Sequence, residues 1–97
     1  MKINEKEVLE KVEKYESLTK RALFEIKLKK NLSENEKMIA TDFLSMAKNY
    51  YTDALYFKKE GKLLTSLAAF SYAHAWLDAG VRAKVFTATD DQLFTLP

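Results

Sequence analysis

The chain has one histidine, His74, and a carboxylate stands four residues beyond it at Asp78. Side chains four apart on a helix are neighbours, so this pair could shuttle a proton or supply part of a metal site. Neither chemistry is complete. General acid–base work needs a nucleophile or other reacting group within reach, and zinc needs three or four ligands. With no cysteine and no second histidine in the chain, every remaining ligand would have to be a carboxylate. A structural histidine at the edge of the apolar stripe, near Leu63, Leu67 and Val81, fits better, with Asp78 satisfying a ring N–H. These residues therefore lead to no catalytic residue, no metal ligand and no cofactor.

A second constellation is aromatic. Tyr50, Tyr51 and Tyr56 cluster with Asp53, and Tyr72 and Trp76 follow further along. Counting outward from Gly61 in an antiparallel hairpin puts Tyr50 level with Tyr72 and Ala73. Such rings can line a ligand pocket. They more often fill a core while keeping the hydroxyl at its rim. Tyr56 lies opposite the main apolar stripe and is expected at the surface. The candidate binding residues are thus Asp53, Tyr56, Tyr72, His74, Trp76 and Asp78.

A third is basic. Lys20, Arg21, Lys27, Lys29 and Lys30 surround a single acid, Glu25. Phosphate binding is one reading. The simpler one is that cations offset the dipole at a helix C-terminus. The lysines have no aromatic interleaving and the net charge is only +2, so a nucleic-acid partner is disfavoured. Glycine-rich phosphate loops, GxSxG and HExxH are all absent, so nothing specific supports an enzyme.

The elements that must position these residues are helices. The chain has 97 residues, of which 31% are charged and 47% hydrophobic, enough for one small folded domain spanning 1–97. Gly is 2 and Pro is 1, too few for the turns of an all-β fold. No apolar run reaches the ~20 residues of a membrane span. The N-terminus lacks the apolar centre of a signal peptide, so a cytoplasmic location is expected.

Val8, Val12, Tyr15, Thr19, Ala22 and Ile26 alternate steps of four and three, which predicts a helix over about 4–30. Asn4 caps it, with Ile3 and Val8 as a hydrophobic staple. Glu7/Lys11, Glu10/Lys14 and Glu16/Lys20 pair along its outer face. Ser33 and Glu36 form a capping box for a second helix over about 34–60, ended by Gly61. Its stripe is Ile39, Ala40, Phe43, Met46, Ala47, Tyr50, Ala54 and Phe57. A third helix over about 62–86 carries Leu63, Leu67, Phe70, Ala73, Leu77 and Val81. Its small row, Ser66, Ala69, Ala73 and Gly80, is expected to face the second helix closely. Over 87–97, Thr89-Asp90-Asp91-Gln92 could cap a single helical turn, and Leu93, Phe94 and Leu96 make the tail too apolar to stay solvated. The fold class is all-α, an antiparallel up-down-up three-helix bundle.

Two resemblances follow. Glu60-Gly61-Lys62-Leu63 through Ser66 to Ala73 resembles one tetratricopeptide hairpin, in a single copy. Tyr50, Asp53-Ala54, Tyr56-Phe57, Gly61 and the run Ser71-Tyr72-Ala73-His74-Ala75-Trp76-Leu77-Asp78-Ala79-Gly80-Val81 resemble an archaeal family known only as domain of unknown function 357. Ala75 stands where that family is expected to have glycine. This resemblance implies a small three-helix bundle with a spectrin-like or albumin-binding-like twist and an archaeal cytoplasmic source. It implies no activity. The expected function is a non-enzymatic module for protein interaction or self-association. The alternative is a small-molecule or nucleotide site, with hydrolytic activity open, around His74 and Asp78.

Overall fold

The computed structural model describes residues 4–90, 93 and 94. The order is α1 (Glu5–Glu25), β1 (Lys27–Leu28), α2 (Glu34–Lys59), α3 (Leu63–Arg82) and β2 (Phe86–Thr87). The three helices form an all-α antiparallel bundle to which one short strand pair is added. Asn4 accepts hydrogen bonds from the Lys6 and Glu7 amides at 3.0 and 3.4 Å, starting α1. Ile3, its expected staple, lies outside the described residues. Ser33 and Glu36 close the full capping box on α2, at 3.1 and 2.9 Å.

α3 is the shared partner. α1 and α2 both pack on it and touch each other little. The inward line of α2 is alanine at seven-residue steps, Ala40, Ala47 and Ala54, all fully buried. A repeat of seven keeps one line of a helix against its neighbour, and alanine lets the axes close in. Ser66, Ala69 and Ala73 of α3 are buried as well, and Ser66 Oγ donates to the Ala54 carbonyl at 2.7 Å. One apolar cluster, around Val12, Ala54, Ala69 and Phe70, fills the end near Gly61. The other, around Ala22, Ile26, Leu77, Val81, Phe86, Leu93 and Phe94, fills the far end.

α1 stops at Glu25 rather than near Lys30. Ile26 is extended (φ −65, ψ 139), and the chain turns into β1. β1 pairs antiparallel with β2, Lys27 opposite Thr87 and Leu28 opposite Phe86. Helical spacing still fits Ile26, but burial of Ile26 and Phe86 against the bundle favours the extended pairing. No basic residue stands in the last turn of α1. The cations from Lys27 onward lie beyond the helix and cannot offset its dipole as the sequence suggested. Glu16 turns to Lys58 of α2 at 2.8 Å rather than to Lys20.

α2 and α3 end alike. After α2, the Lys62 amide bonds the Phe57 carbonyl and the Gly61 amide bonds that of Lys58, with Gly61 at φ 76. After α3, the Val85 amide bonds Gly80 and the Lys84 amide bonds Val81, with Lys84 at φ 64. Both are Schellman caps. The second has lysine where glycine is cheapest, so α3 ends at Arg82 and not near Phe86. Gly80 answers to β2 and not to α2, because a Cβ there would overlap the buried Phe86 ring.

Two expectations follow. A Cβ at Gly61 would meet nothing within 4 Å, so Gly61→Val acts through the backbone alone. It should cost about 1–2 kcal/mol, and Lys84→Gly should stabilise by roughly 0.5–1 kcal/mol. Denaturant melts of the two variants should therefore shift in opposite directions. In alkali, the hydrogen bond to Glu16 holds the Lys58 ammonium above its ordinary pKa of 10.5. Burial, then the Glu16 charge, raise the Tyr51 phenol above 10.0. Both groups bind protons more tightly in the folded state, so their contribution is present at neutral pH and lost as pH rises past about 10. Lys58→Met with Tyr51→Phe should flatten that fall in a pH-stepped melt.

Candidate functional site

His74 reaches across the bundle from α3. Its Nδ1 lies 3.5 Å from Thr19 Oγ1 of α1. Its Nε2 hydrogen-bonds the Leu93 carbonyl. A carbonyl only accepts, so Nε2 donates to it, while Nδ1 faces the Thr19 hydroxyl. Thr19 is fully buried and also stands 3.5 Å from the Phe70 carbonyl. The Phe94 ring lies 6.1 Å from the imidazole. One ring thus joins α1, α3 and the segment after β2. That segment is folded onto its own chain, with Leu93 and Phe94 at 2% and 4% exposure. Leu96, Asp91 and Gln92 lie outside the described residues. The Asp90 carbonyl accepts from the Leu93 and Phe94 amides, which makes the turn that delivers them.

Asp78 is half-buried one turn along α3, but the ring's nitrogens are turned to Thr19 and Leu93 instead. The sequence placed the partner on the same helix. The structure supplies it from two distant segments. Thr19 was visible only as a threonine inside an apolar stripe, and a backbone carbonyl leaves no mark in a sequence.

The aromatic residues meet as expected from the Gly61 count. Tyr50 and Tyr72 stack edge to face at 4.5 Å. Tyr72 meets Trp76 at 6.3 Å, and Trp76 meets Phe43 at 5.1 Å. The four rings form a continuous row along the α2–α3 seam. Tyr72 is half exposed, while the Trp76 indole Nε1 is buried without a hydrogen-bond partner. Tyr56 is exposed, its ring 5.6 Å from that of Phe57, and Asp53 is exposed on α2. The six candidates therefore divide. Tyr72 and Trp76 share the aromatic row, His74 is an internal tie, Asp78 flanks it, and Asp53 and Tyr56 face solvent.

As for chemistry, the imidazole sits between a hydroxyl and a carbonyl, and both its nitrogens are engaged. Among the described residues, no group of three or more His, Cys, Asp or Glu side chains could hold a metal ion. None of the described helices is long and apolar enough to cross a membrane.

His74→Leu keeps the volume but strips two bonds from buried partners. It should lower unfolding free energy by roughly 1–3 kcal/mol and speed amide exchange at Leu93 and Phe94 ahead of the α2–α3 core. Uniform exchange across the bundle would mean that His74 does not hold the tail. Stoichiometric metal in the wild type, lost in the variant, would replace the structural role with a coordinating one.

No curated protein and no solved structure shows significant similarity to the chain. One family model matches, over residues 14–86, from within α1 to the first residue of β2. The match takes in Thr19, the Gly61 turn, the aromatic row and His74, and so covers most of what the bundle is built from. The chain belongs to the family described as protein of unknown function (DUF357).

Proposed function

We propose that this protein is a non-enzymatic cytoplasmic interaction module that binds another protein, or a second copy of itself, through the outward face of α3 and the aromatic row beside it. The observation that carries this reading is electrostatic. Every exposed residue of α3 from Leu64 to Ala79 is uncharged, including Leu64, Ala68, Ser71, Tyr72, Ala75 and Ala79. The exposed faces of α1 and α2 are crowded with Lys, Glu and Asp. A face whose exposed residues carry no charge, with Asp78 half-buried at its margin, can be covered with little desolvation cost, and small residues beside a half-exposed tyrosine suit the close approach of another helix. The tight α2–Gly61–α3 hairpin, of the kind that tetratricopeptide units use to present a helix face, supports the same reading.

The alternative, a small-molecule or nucleotide site at His74 and Asp78, draws less support. His74 would have to leave Thr19 and the Leu93 carbonyl to take part. Neither His74 nor Asp78 lines any of the open concavities beside the Gly61 turn, between Glu25 and Phe94, at the start of α2 or around Phe24.

Ala75 is exposed, so Ala75→Glu should leave the melting temperature unchanged. Affinity capture from the source organism, quantified by mass spectrometry, should yield a partner on the wild type that is lost on Ala75→Glu. If the partner is a second copy, light scattering should show a dimer become a monomer. A wild type that stays monomeric and captures the same proteins as the variant would sink the proposal.

A further inference from the structure

A different end of the molecule carries a different property. The strand pair draws the segment 17–31 against the segment 82–87. Together they hold seven of the sixteen basic residues and one of the fourteen acids. Lys20, Arg21, Lys27, Lys29 and Lys30 come from the first segment, and Arg82 and Lys84 from the second. All seven are exposed. The remainder of the chain is left net negative, which a whole-chain charge of +2 conceals. Among the described acids near this end, Glu34 pairs with Lys37, Glu36 is tied into its capping box, and Asp78, one turn before Arg82, and Asp90 each have an interaction of their own.

Within this basic surface stands Phe24, 88% exposed. No other large apolar side chain among the described residues is as exposed. Lys20 and Arg21 lie one turn before it, on the same side of the helix. Together with Ser17, Leu23 and Glu25 they line an open concavity of about 620 Å³. At Glu25 it adjoins a second concavity, of about 220 Å³, bounded by Lys27, Thr87 and Thr89. The lysines are therefore not without an aromatic, as the sequence suggested: Phe24 stands exposed between Arg21 and Lys27.

We propose that this surface binds single-stranded nucleic acid, with a base stacked on Phe24 and the neighbouring phosphates held by Lys20, Arg21 and Lys27. Cations tracking a backbone beside an exposed ring are the two elements such binding needs. A bilayer is a poorer occupant, since interfacial anchoring requires a continuous apolar face and Phe24 is ringed by charge. A protein partner is also poorer, since an aromatic anchor is surrounded by contacts that exclude water, and the neighbours of Phe24 are solvated. The inference is independent of the α3 face.

The test uses the whole chain and a fluorescein-labelled oligouridine of about twelve nucleotides, read by anisotropy. Wild type should bind with a Kd of roughly 10⁻⁶–10⁻⁴ M, weakening steeply between about 50 and 200 mM salt. Phe24→Ala should weaken binding roughly 5- to 100-fold, and Phe24→Trp should restore it. Lys20→Glu with Arg21→Glu should weaken it by more than about 10-fold and flatten the salt dependence. All these side chains are exposed, so melting temperatures should not move, and equal melts confirm that each variant is folded. The proposal is overturned if wild type gives no anisotropy change up to about 1 mM, a tenfold margin over the weakest binding expected. Equal affinity of wild type and Phe24→Ala, or of the oligomer and a duplex of equal length, would also overturn it. So would Phe24-dependent sedimentation with phosphatidylserine vesicles in the absence of oligonucleotide binding.

Discussion

Ser66 donates a 2.7 Å hydrogen bond from inside α3 to the Ala54 carbonyl of α2. A hydroxyl can reach a helical carbonyl across an interface only where the two backbones nearly touch. That closeness is what Ala40, Ala47 and Ala54 permit on one side and Ser66, Ala69 and Ala73 on the other. It requires a short connection as well, and Gly61 provides one by taking a left-handed conformation that costs a side-chain-bearing residue about 1–2 kcal/mol. With so little volume between α2 and α3, the large side chains are displaced to the flanks of the seam. There Phe43, Tyr50, Tyr72 and Trp76 stack into a row. The exposed aromatic edge is thus a consequence of the alanine interior.

The same geometry explains why α1 needs help. It packs mainly on α3 and barely on α2. Near Gly61, Phe70, Tyr51 and Tyr15 fill the space, and the Lys58–Glu16 pair links α1 to α2 at the surface. At the other end the helices alone leave a gap. Phe86, Leu93 and Phe94 fill it from the C-terminal segment. His74 is the polar fastening of that repair, with one nitrogen toward Thr19 of α1 and the other on the returning chain. Gly80 leaves room for the Phe86 ring to enter.

Legibility of the sequence followed the range of the interactions. Periodicity revealed three helices because each buries one side, and the two caps at Asn4 and Ser33 act within a single turn. Gly61 announced its own turn. The end of α3 did not, because its Schellman cap uses Lys84, which has no preference for that conformation. β1 and β2 are two residues each, too short to have a period, and they exist because Ile26 and Phe86 are buried by distant parts of the chain. For His74 the sequence offered Asp78 on the next turn, yet the groups that face its nitrogens come from 55 and 19 residues away. Phe24 stands two residues from both Ala22 and Ile26, opposite the buried stripe of α1, so the helical period itself places it outside.

The two surfaces that remain open differ in physics, and so would separate under different conditions. The face of α3 exposes no charged residue and carries only the half-buried Asp78 at its margin, so contacts made there gain mainly from water exclusion and should be less sensitive to moderate salt. The basic end would hold an anionic ligand by charge across a solvated surface, where screening within about 10 Å at 0.1 M salt weakens every contact. They also lie on different elements. α3 presents the first from its middle turns, while the second is assembled from the end of α1 and the strands that follow α1 and α3. Occupying one need not cover the other. On the two proposals made above, a protein along the side and an anionic strand at the end would not compete, because the basic residues are gathered at the second surface and absent from the exposed middle of the first.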